Sequence, residues 1–517
     1  MIKKNYYKVS GFMNSAVKIL ILSLWTVIMV TLFMLCVIKT VDITGDMDIA
    51  FYNDSFINLL WIPVVYLTLT VIYCLAKRYI PQNVSDLIIS NRNRIGIAVT
   101  VLIAIFLIWY IHITQFEITS DQMICMQCAS DLLKGDFEVW ETGYMSVYPF
   151  QNGIVFFDAL LIMMFEDRAF VAFQYINVIF FIIAVMAAYV TCRYMFKNKT
   201  SIFIWIVMLT FYPFAMYVVY CYGTMIGFSF AMLAVMFLFM YFDRKGIGYF
   251  VLCGVSMLLS VIIKSNYLIV LVGIVLYLLF DAIVQKKAKS IAGVVVIISI
   301  YFLGNCVMNT VIENVTKRPV AEGIPKIAWV AMGLNEAVNT PGWYDNYNGY
   351  VYEKNDRNRK ATIAECKDHI RDRLEILSSN GRNFIRFFYK KTASQWGNPT
   401  WECFNLQGRV SGTLDNAIKR NVWEYGEKCQ IYKNILNVVQ TLINFGVVMY
   451  ILLCWKNFKN IRVYELFYAV LMIGAFIFYT FWEAKSQYAA PYYFLIIPYA
   501  VMGWKSIVVG TKLHRNN

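Results

Sequence analysis

The side chains best suited to chemistry lie in a run of acids and aromatics between His112 and Asn152. The run opens on Glu117-Ile118-Thr119-Ser120-Asp121-Gln122 and closes on Tyr148-Pro149-Phe150-Gln151-Asn152-Gly153. Asp121, Asp131, Asp136, Glu138 and Glu141 face a single basic residue there, Lys134. Asp121 follows an apolar run by about nine residues, which puts a carboxylate close to a membrane surface. Such a group can act as general base toward a hydroxyl once burial or a neighbour tunes its proton affinity. Ser120-Asp121 ahead of an apolar-periodic run equally suits a helix cap, and a solvated loop acid is the third reading. Asp131, Asp136 and Glu141 are lesser candidates, any of which can supply a second polar group to the same pocket.

Two further clusters carry charge where the surroundings are apolar. Lys264, in Ile263-Lys264-Ser265-Asn266-Tyr267, interrupts two apolar runs. A lone cation there is costly unless it is paired or holds an anion such as phosphate, or snorkels to the interface. Glu483-Ala484-Lys485-Ser486-Gln487-Tyr488, with Pro491 beyond, places an acid and a base two residues apart beside a tyrosine. That trio can hold a phosphate or a sugar, or it can be a surface ion pair worth less than about 1 kcal/mol. The three histidines, His112, His369 and His514, lack zinc-hydrolase spacing, and no phosphate-binding P-loop occurs. No nucleophile elbow accompanies a histidine triad. Cys125-Met126-Gln127-Cys128 is a lone CxxC, and most other cysteines sit in apolar runs as small hydrophobes. With no nucleotide site, chemical energy must arrive in an activated substrate. In a membrane that points to a lipid-linked one.

The elements that must position these residues are membrane helices. Of 517 residues, 60% are hydrophobic and 15% charged, against roughly a quarter charged in soluble domains. Apolar runs recur at about 16–38, 57–76, 95–112, 170–195, 200–220, 224–242, 247–263, 267–284, 291–308, 434–455, 464–482 and 488–508. The expected fold is therefore an all-α polytopic membrane protein of about twelve transmembrane helices with two long extracytoplasmic loops. Lys3-Lys4 and Lys8 before the first run read as a retained signal anchor. The net charge of +14 resides mostly in short links between runs, which is a topology signal and argues against nucleic-acid binding. Lys77, Arg78, Arg92, Arg94, Lys197, Lys199, Arg244, Lys245, Lys286, Lys287, Lys289, Lys456, Lys459, Arg462, Lys512 and Arg515 all fall on one side, together with the N-terminal lysines. By the positive-inside rule that side is cytoplasmic, with both termini on it. Counting 150–165 as a span would reverse the later links, so it is assigned to the outer interface as a re-entrant or juxtamembrane helix.

Five parts follow: N-terminal spans (1–112), a first outer loop with amphipathic helices (113–169), a central bundle (170–308), a large outer loop or cap (309–433) and C-terminal spans (434–517). The link carrying Asp42, Asp46, Asp48 and Asp54 lies outside, and is acidic as that side requires. The cap has Gly342-Trp343 and Gly349-Tyr350 turns, a charged helical run near 357–378 and an Arg/Lys-rich patch from Arg382 to Lys391.

The order of these parts resembles the GT-C superfamily of membrane glycosyltransferases, most closely bacterial members of the protein O-mannosyltransferase and aminoarabinose transferase type (glycosyltransferase family 39). The likeness rests on a leading span, the acid of Asp121-Gln122 in the first outer loop, Tyr148-Pro149 opening a helix, and the basic turn Arg193…Lys197…Lys199. Lys485-Ser486-Gln487-Tyr488…Pro491 is similar to the Arg-Tyr-x-x-Pro element of such enzymes, with lysine for arginine and Gln487 inserted before the tyrosine. Ala328-Trp329-Val330-Ala331-Met332-Gly333-Leu334 with Gly342-Trp343 is similar to the outer loop of Gram-positive relatives. Two extra spans precede the one leading into Asp121. The resemblance implies a polyprenyl-phosphate sugar donor, Asp121 as the base on an acceptor hydroxyl, and inversion at the anomeric carbon. It implies Lys264 and Lys485 at the donor phosphate. Gln122, Tyr148, Trp329, Trp343, Glu483 and Tyr488 would then contact sugar and acceptor.

The resulting expectation is a glycosyltransferase of a bacterial plasma membrane, acting on an envelope glycan, polymer or protein acceptor. Its partners are the lipid-linked sugar and membrane lipids. It requires no cofactor and leaves room for a divalent metal. The rivals are a transporter or flippase of lipid-linked sugars, a glycan polymerase or ligase, and a non-catalytic scaffold. A transporter should carry ionisable residues within its spans and broken helices in related halves, and neither is evident in the sequence.

Overall fold

The computed structural model describes residues 2–44, 49–54, 56–197, 200–285, 288–337, 340–404 and 428–510. Asp46, Asp48, Lys199, Lys286, Lys287, Lys512, His514 and Arg515, named above, lie outside the described residues.

The chain begins with α1 (Ile2–Ile38), a hairpin of β1 (Lys39–Thr44) and β2 (Ile49–Asp54), α2 (Trp61–Tyr79), α3 (Gln82–Ser90) and α4 (Arg92–Thr114). Next come α5 (Ser120–Lys134), the single turns α6 (Glu138–Glu141) and α7 (Tyr144–Val147), α8 (Asn152–Phe165) and α9 (Ala169–Phe196). The central helices are α10 (Ile202–Leu209), α11 (Tyr212–Ala215), α12 (Thr224–Arg244), α13 (Ile247–Ile263), α14 (Leu268–Gln285) and α15 (Ala288–Thr316). The cap contributes α16 (Ile327–Gly333), α17 (Tyr347–Lys354), α18 (Arg359–Ser378) and α19 (Gly381–Trp396). The chain closes with α20 (Cys429–Lys456), α21 (Phe467–Phe481), α22 (Ser486–Phe494) and α23 (Ile497–Val509).

The described residues form an all-α polytopic membrane protein apart from one antiparallel hairpin, in which Asp42 pairs with Phe51. Among the described residues nine helices are long and apolar enough to cross a bilayer, or eleven if each of two bent pairs counts as one span. The pairs are Ile202–Leu209 with Tyr212–Val219, bent by 57°, and Ser486–Phe494 with Ile497–Val509, bent by 50°. The twelfth apolar run is α13, of 17 residues. Every expected run is thus helical, and the departure from twelve comes from bends and one short helix.

The structure differs from the sequence expectation in two respects. Broken helices are present, and ionisable side chains do lie buried within spans, namely Lys18 in α1, Asp281 in α14 and Glu465 at the start of the α21 span, while Asp158 is buried in the shorter α8. Lys18 is satisfied by the carbonyls of Phe458 (3.0 Å) and Ile461 (3.3 Å). Asp281 accepts from the Ser290 hydroxyl at 2.7 Å. Among the described residues neither oxygen of Asp158 finds a hydrogen-bond partner.

The segment at 150–165 is α8, whose 14 residues reach about 21 Å, short of the hydrocarbon core of about 30 Å. The chain turns at Glu166–Arg168 and α9 returns alongside, with the Phe157 and Phe173 rings 5.2 Å apart. The charged run expected near 357–378 is α18, capped by Asn358, whose side chain accepts from the Lys360 and Ala361 amides at 3.1 Å. The acidic link after α1 is the hairpin, and its Asp42 pairs with Lys433 of α20 at 2.7 Å.

In lipid, helices associate through close packing of small residues. α20 and α23 show it most tightly: a Cβ on Gly503 would stand 1.8 Å from the Gly446 carbonyl oxygen. Gly503→Val should therefore force the pair apart at a cost of about 1–3 kcal/mol. A lowered melting temperature of the detergent-solubilised protein, with no such fall for a substitution at exposed Gly248, would check it.

Helices of the bundle end at two levels. The breaks at 220–223, 264–267 and 482–486 gather at one end together with the start of α5. The basic links Arg244-Lys245 and Lys456…Arg462 lie at the far ends of α12 and α21.

Candidate functional site

Tyr222 is the hub of the gathered breaks. Its hydroxyl donates to Asp121 Oδ2 at 3.1 Å and accepts from the Gln151 side-chain amide. The Lys264 ammonium lies over its ring, 3.5 Å from the centroid. One buried tyrosine thus holds a carboxylate at its hydroxyl and a cation on its π-face. Asp121 itself is exposed, at the mouth of this cluster, while Lys264 and Tyr222 are buried.

Local sequence explains why these groups stay in place. Ser120 takes a left-handed backbone (φ 52°) and Thr119 is extended, so α5 starts abruptly with Asp121 in its first turn. Among the described residues no side chain caps that helix, which removes the cap as the reason for Asp121. Tyr222 sits in the break before α12, which is pegged by polar side chains from elsewhere. Gln122 Oε1 accepts from the Cys221 amide at 2.7 Å, and Asn177 donates to the carbonyls of Val218 (3.1 Å) and Tyr220 (3.2 Å). Lys264 occupies an extended residue between α13 and the turn Ser265–Tyr267. That turn is tied to its neighbours by the Tyr267 hydroxyl on the Thr224 carbonyl (2.8 Å) and the Tyr492 hydroxyl on the Asn266 carbonyl (2.9 Å).

The last break supplies Glu483, Lys485 and Tyr488. The Ala484 amide donates to the Gly342 carbonyl at 2.7 Å, fixing the link beneath the cap. The start of α22 rests on Glu402, whose Oε1 accepts from the Ser486 hydroxyl (2.7 Å) and the Gln487 amide (3.0 Å). A carboxylate at a helix N-terminus is favoured by the exposed amides and the helix dipole. Both Trp401 and Glu402 adopt left-handed backbones (φ 52° and 62°), a strain found where a site over-determines the chain. Aromatic rings line the remainder. Trp329 stacks parallel on Trp482 at 5.8 Å and meets Tyr148 at 6.4 Å, while Tyr488 stacks on Tyr479 at 6.0 Å.

Electrostatics show that the scattered charges share one space. Burial pulls the Lys264 ammonium down to about 8, against the upward pull of Asp121, Cys125 and Glu483. Burial raises the Tyr222 phenol far above its ordinary value, and Asp121 raises it further. The phenols of Tyr148, Tyr220 and Tyr344 are raised by burial first, and the charges of Asp121 and Glu483 both act on all three. Lys485 acts in the opposite sense on Tyr344.

Asp121, Tyr148, Lys264, Glu483, Lys485 and Tyr488 are therefore brought together, with Trp329 beside them through Tyr148. Gln122 is a strut for the Tyr222 break. Trp343 lies behind the site: it is buried, donates its indole N–H to Ser394 Oγ at 2.9 Å, and packs with Leu35, Val41 and Ala484. Asp131, Asp136 and Glu141 are engaged elsewhere. Asp131 accepts from Gln127 (2.8 Å), Asp136 from the Glu138 amide (3.1 Å), and Glu141 pairs with Arg318 (3.0 Å). Cys125 and Cys128 are both buried and free. Among the described residues no three His, Cys, Asp or Glu side chains gather as metal ligands. Tyr222, Gln151, Tyr220, Tyr344 and Glu402 were not picked out by sequence. The one signal is Tyr220-Cys221-Tyr222-Gly223, a polar-edged break in an apolar stretch.

A family model described as conserved hypothetical integral membrane protein matches residues 13–507. The chain belongs to that family. No curated protein matches the chain.

Proposed function

We propose that this chain is a membrane glycosyltransferase that moves a sugar from a polyprenyl-phosphate donor to a hydroxyl of an envelope acceptor. The observation that carries the reading is Tyr222, which holds the exposed carboxylate of Asp121 and the buried ammonium of Lys264 in one cluster. In the proposed reaction the acceptor oxygen attacks the anomeric carbon and its proton passes to Asp121. The bond from that carbon to the phosphate oxygen breaks, its electron pair leaves with the lipid phosphate, and configuration inverts. Lys264 and Lys485 meet the negative charge that grows on the departing phosphate. A hydrolase of glycosides uses paired carboxylates; with phosphate as leaving group one base suffices, which suits the single exposed acid on Tyr222. Trp329, Trp482, Tyr148 and Tyr488 supply the aromatic walls that bind sugar faces. The site is proposed to face outward from a bacterial plasma membrane with both termini cytoplasmic, a reading supported by the basic links at the far ends of α12 and α21.

A transporter of lipid-linked sugars is the second reading, favoured by the two bent pairs beside the site and by the buried Asp158. The experiment offers the purified full-length protein a panel of polyprenyl-phosphate sugars, in detergent and in proteoliposomes. Release of polyprenyl phosphate with glycosylated acceptor supports transfer. Movement of intact donor across the vesicle without release replaces it with transport.

A further inference from the structure

We infer that α19 is a membrane-surface helix whose Arg382 and Arg386 receive the phosphate of a polyprenyl-linked lipid from the bilayer. The identity of the lipid rests on the transferase reading; the docking surface itself rests on geometry. Arg382, Ile385, Arg386 and Tyr389 follow the i, i+3, i+4, i+7 spacing of one helical stripe and line one open cavity of about 530 Å³. The opposite stripe, with Phe387, Lys391 and Ser394, is buried in the protein. The open stripe is not a plain solvent face, because its Ile385 is 69% exposed and its Tyr389 is exposed as well.

A row of rings on the neighbouring flank of α19 leads onto a transmembrane helix. Phe384 meets Phe388 at 4.8 Å, and Phe388 meets Phe481 at 6.4 Å. Phe481, Phe478 and Ile477 are the outward-facing residues of the last turns of α21, at the end of a candidate span. The lipid that bathes the end of α21 therefore reaches α19. An amphipathic helix with aromatic and aliphatic residues beside arginines is built to lie in such an interface.

The occupant follows from charge. No carboxylate among the described residues pairs with Arg382 or Arg386, and Lys390 adds a third cation nearby. Two guanidinium forks one turn apart match phosphate oxygens in pairs, while Ile385, Tyr389 and the row of rings take the isoprenoid chain. The same helix ends at the site: the Lys391 ammonium donates to the Trp482 carbonyl at 2.7 Å, next to Glu483. The helix that carries the two arginines therefore packs, near its C-terminal end, against the link that bears Glu483 and Lys485.

The test measures binding of polyprenyl monophosphate to the full-length protein in detergent micelles. Wild type is compared with R382Q/R386Q and with Ile385→Asp, using inorganic phosphate and phosphatidylglycerol as competitors. The expected result is affinity at least about tenfold weaker in R382Q/R386Q, weaker binding in Ile385→Asp, unchanged melting temperatures, and poor competition by both competitors. Equal binding by wild type and R382Q/R386Q overturns the inference. So does efficient displacement by inorganic phosphate, which makes the site one for soluble anions, or by phosphatidylglycerol, which makes it a general lipid anchor. Sugar transfer in the same preparation separates the two proposals. Turnover with arginine-independent binding sinks the dock alone, and arginine-dependent binding without turnover sinks the transferase alone.

Discussion

Asp121→Asn should abolish sugar transfer by a protein that still folds, lowering turnover by about 10²–10⁴-fold, the usual contribution of a positioned general base. Asparagine keeps the shape of the side chain and an oxygen for the Tyr222 hydroxyl, which donates to Asp121 Oδ2 at 3.1 Å. It cannot accept the acceptor's proton. The backbone around it is held by Gln122 and the left-handed Ser120, neither of which is altered. Melting temperature and donor affinity should stay near wild type, so the loss should fall on kcat. Survival of turnover would remove Asp121 as the base and turn attention to Asp131, Asp136 or Glu141. Each of those would first have to leave the partner it now holds.

Lys264→Met should lower kcat by about 10²–10³-fold, the scale for losing one group aimed at developing charge. Its effect on stability should run the other way. Lys264 is buried over the Tyr222 ring, and its desolvation is only partly offset by Asp121 and Glu483. Exchanging a buried charge for an apolar chain of similar length is often neutral or stabilising. A variant that melts no lower than wild type yet transfers almost nothing would assign the residue to chemistry. Loss of folding would assign it to structure. The pH profile gives an independent check. The Lys264 ammonium is held down to about 8 by burial, so it is charged below that value and neutral above it. If charge is what serves the leaving phosphate, kcat/KM should fall as pH rises through about 8. In Lys264→Arg the alkaline limb should disappear, because a guanidinium stays protonated. An unchanged alkaline limb in that variant would detach the profile from this residue.

Several parts of the protein were legible without a fold. Membrane helices are readable because the length of the apolar run is set by bilayer thickness and the 1.5 Å rise per residue, both local quantities. Lys264 was readable for a similar reason, since a cation between apolar runs is conspicuous wherever the chain goes. The number of spans was less so. Bends of 57° and 50° in the pairs Ile202–Val219 and Ser486–Val509 depend on what packs against them, and hydropathy reports only composition. Buried ionisable groups such as Asp158 and Asp281 leave little trace in the sequence, because one acid scarcely changes the hydropathy of a long window.

Composition and local pattern determined that this is a helical membrane protein, and they marked the stretches from which its polar site is drawn. Which residues of those stretches meet was decided only by tertiary structure. Tyr222 lies 101 positions from Asp121, and Ser486 lies 84 positions from Glu402. Such pairs are brought together by where helices break and by the struts at Gln122, Asn177 and Glu402, none of which leaves a periodic signal. Trp329 and Trp343 show the same limit: both sit in aromatic, glycine-bearing loop segments, yet one stacks on Trp482 beside the site and the other is buried behind it. Hydrophobicity acts on every residue where it stands, whereas a hydrogen bond between distant residues exists only after the chain has folded to bring them within reach.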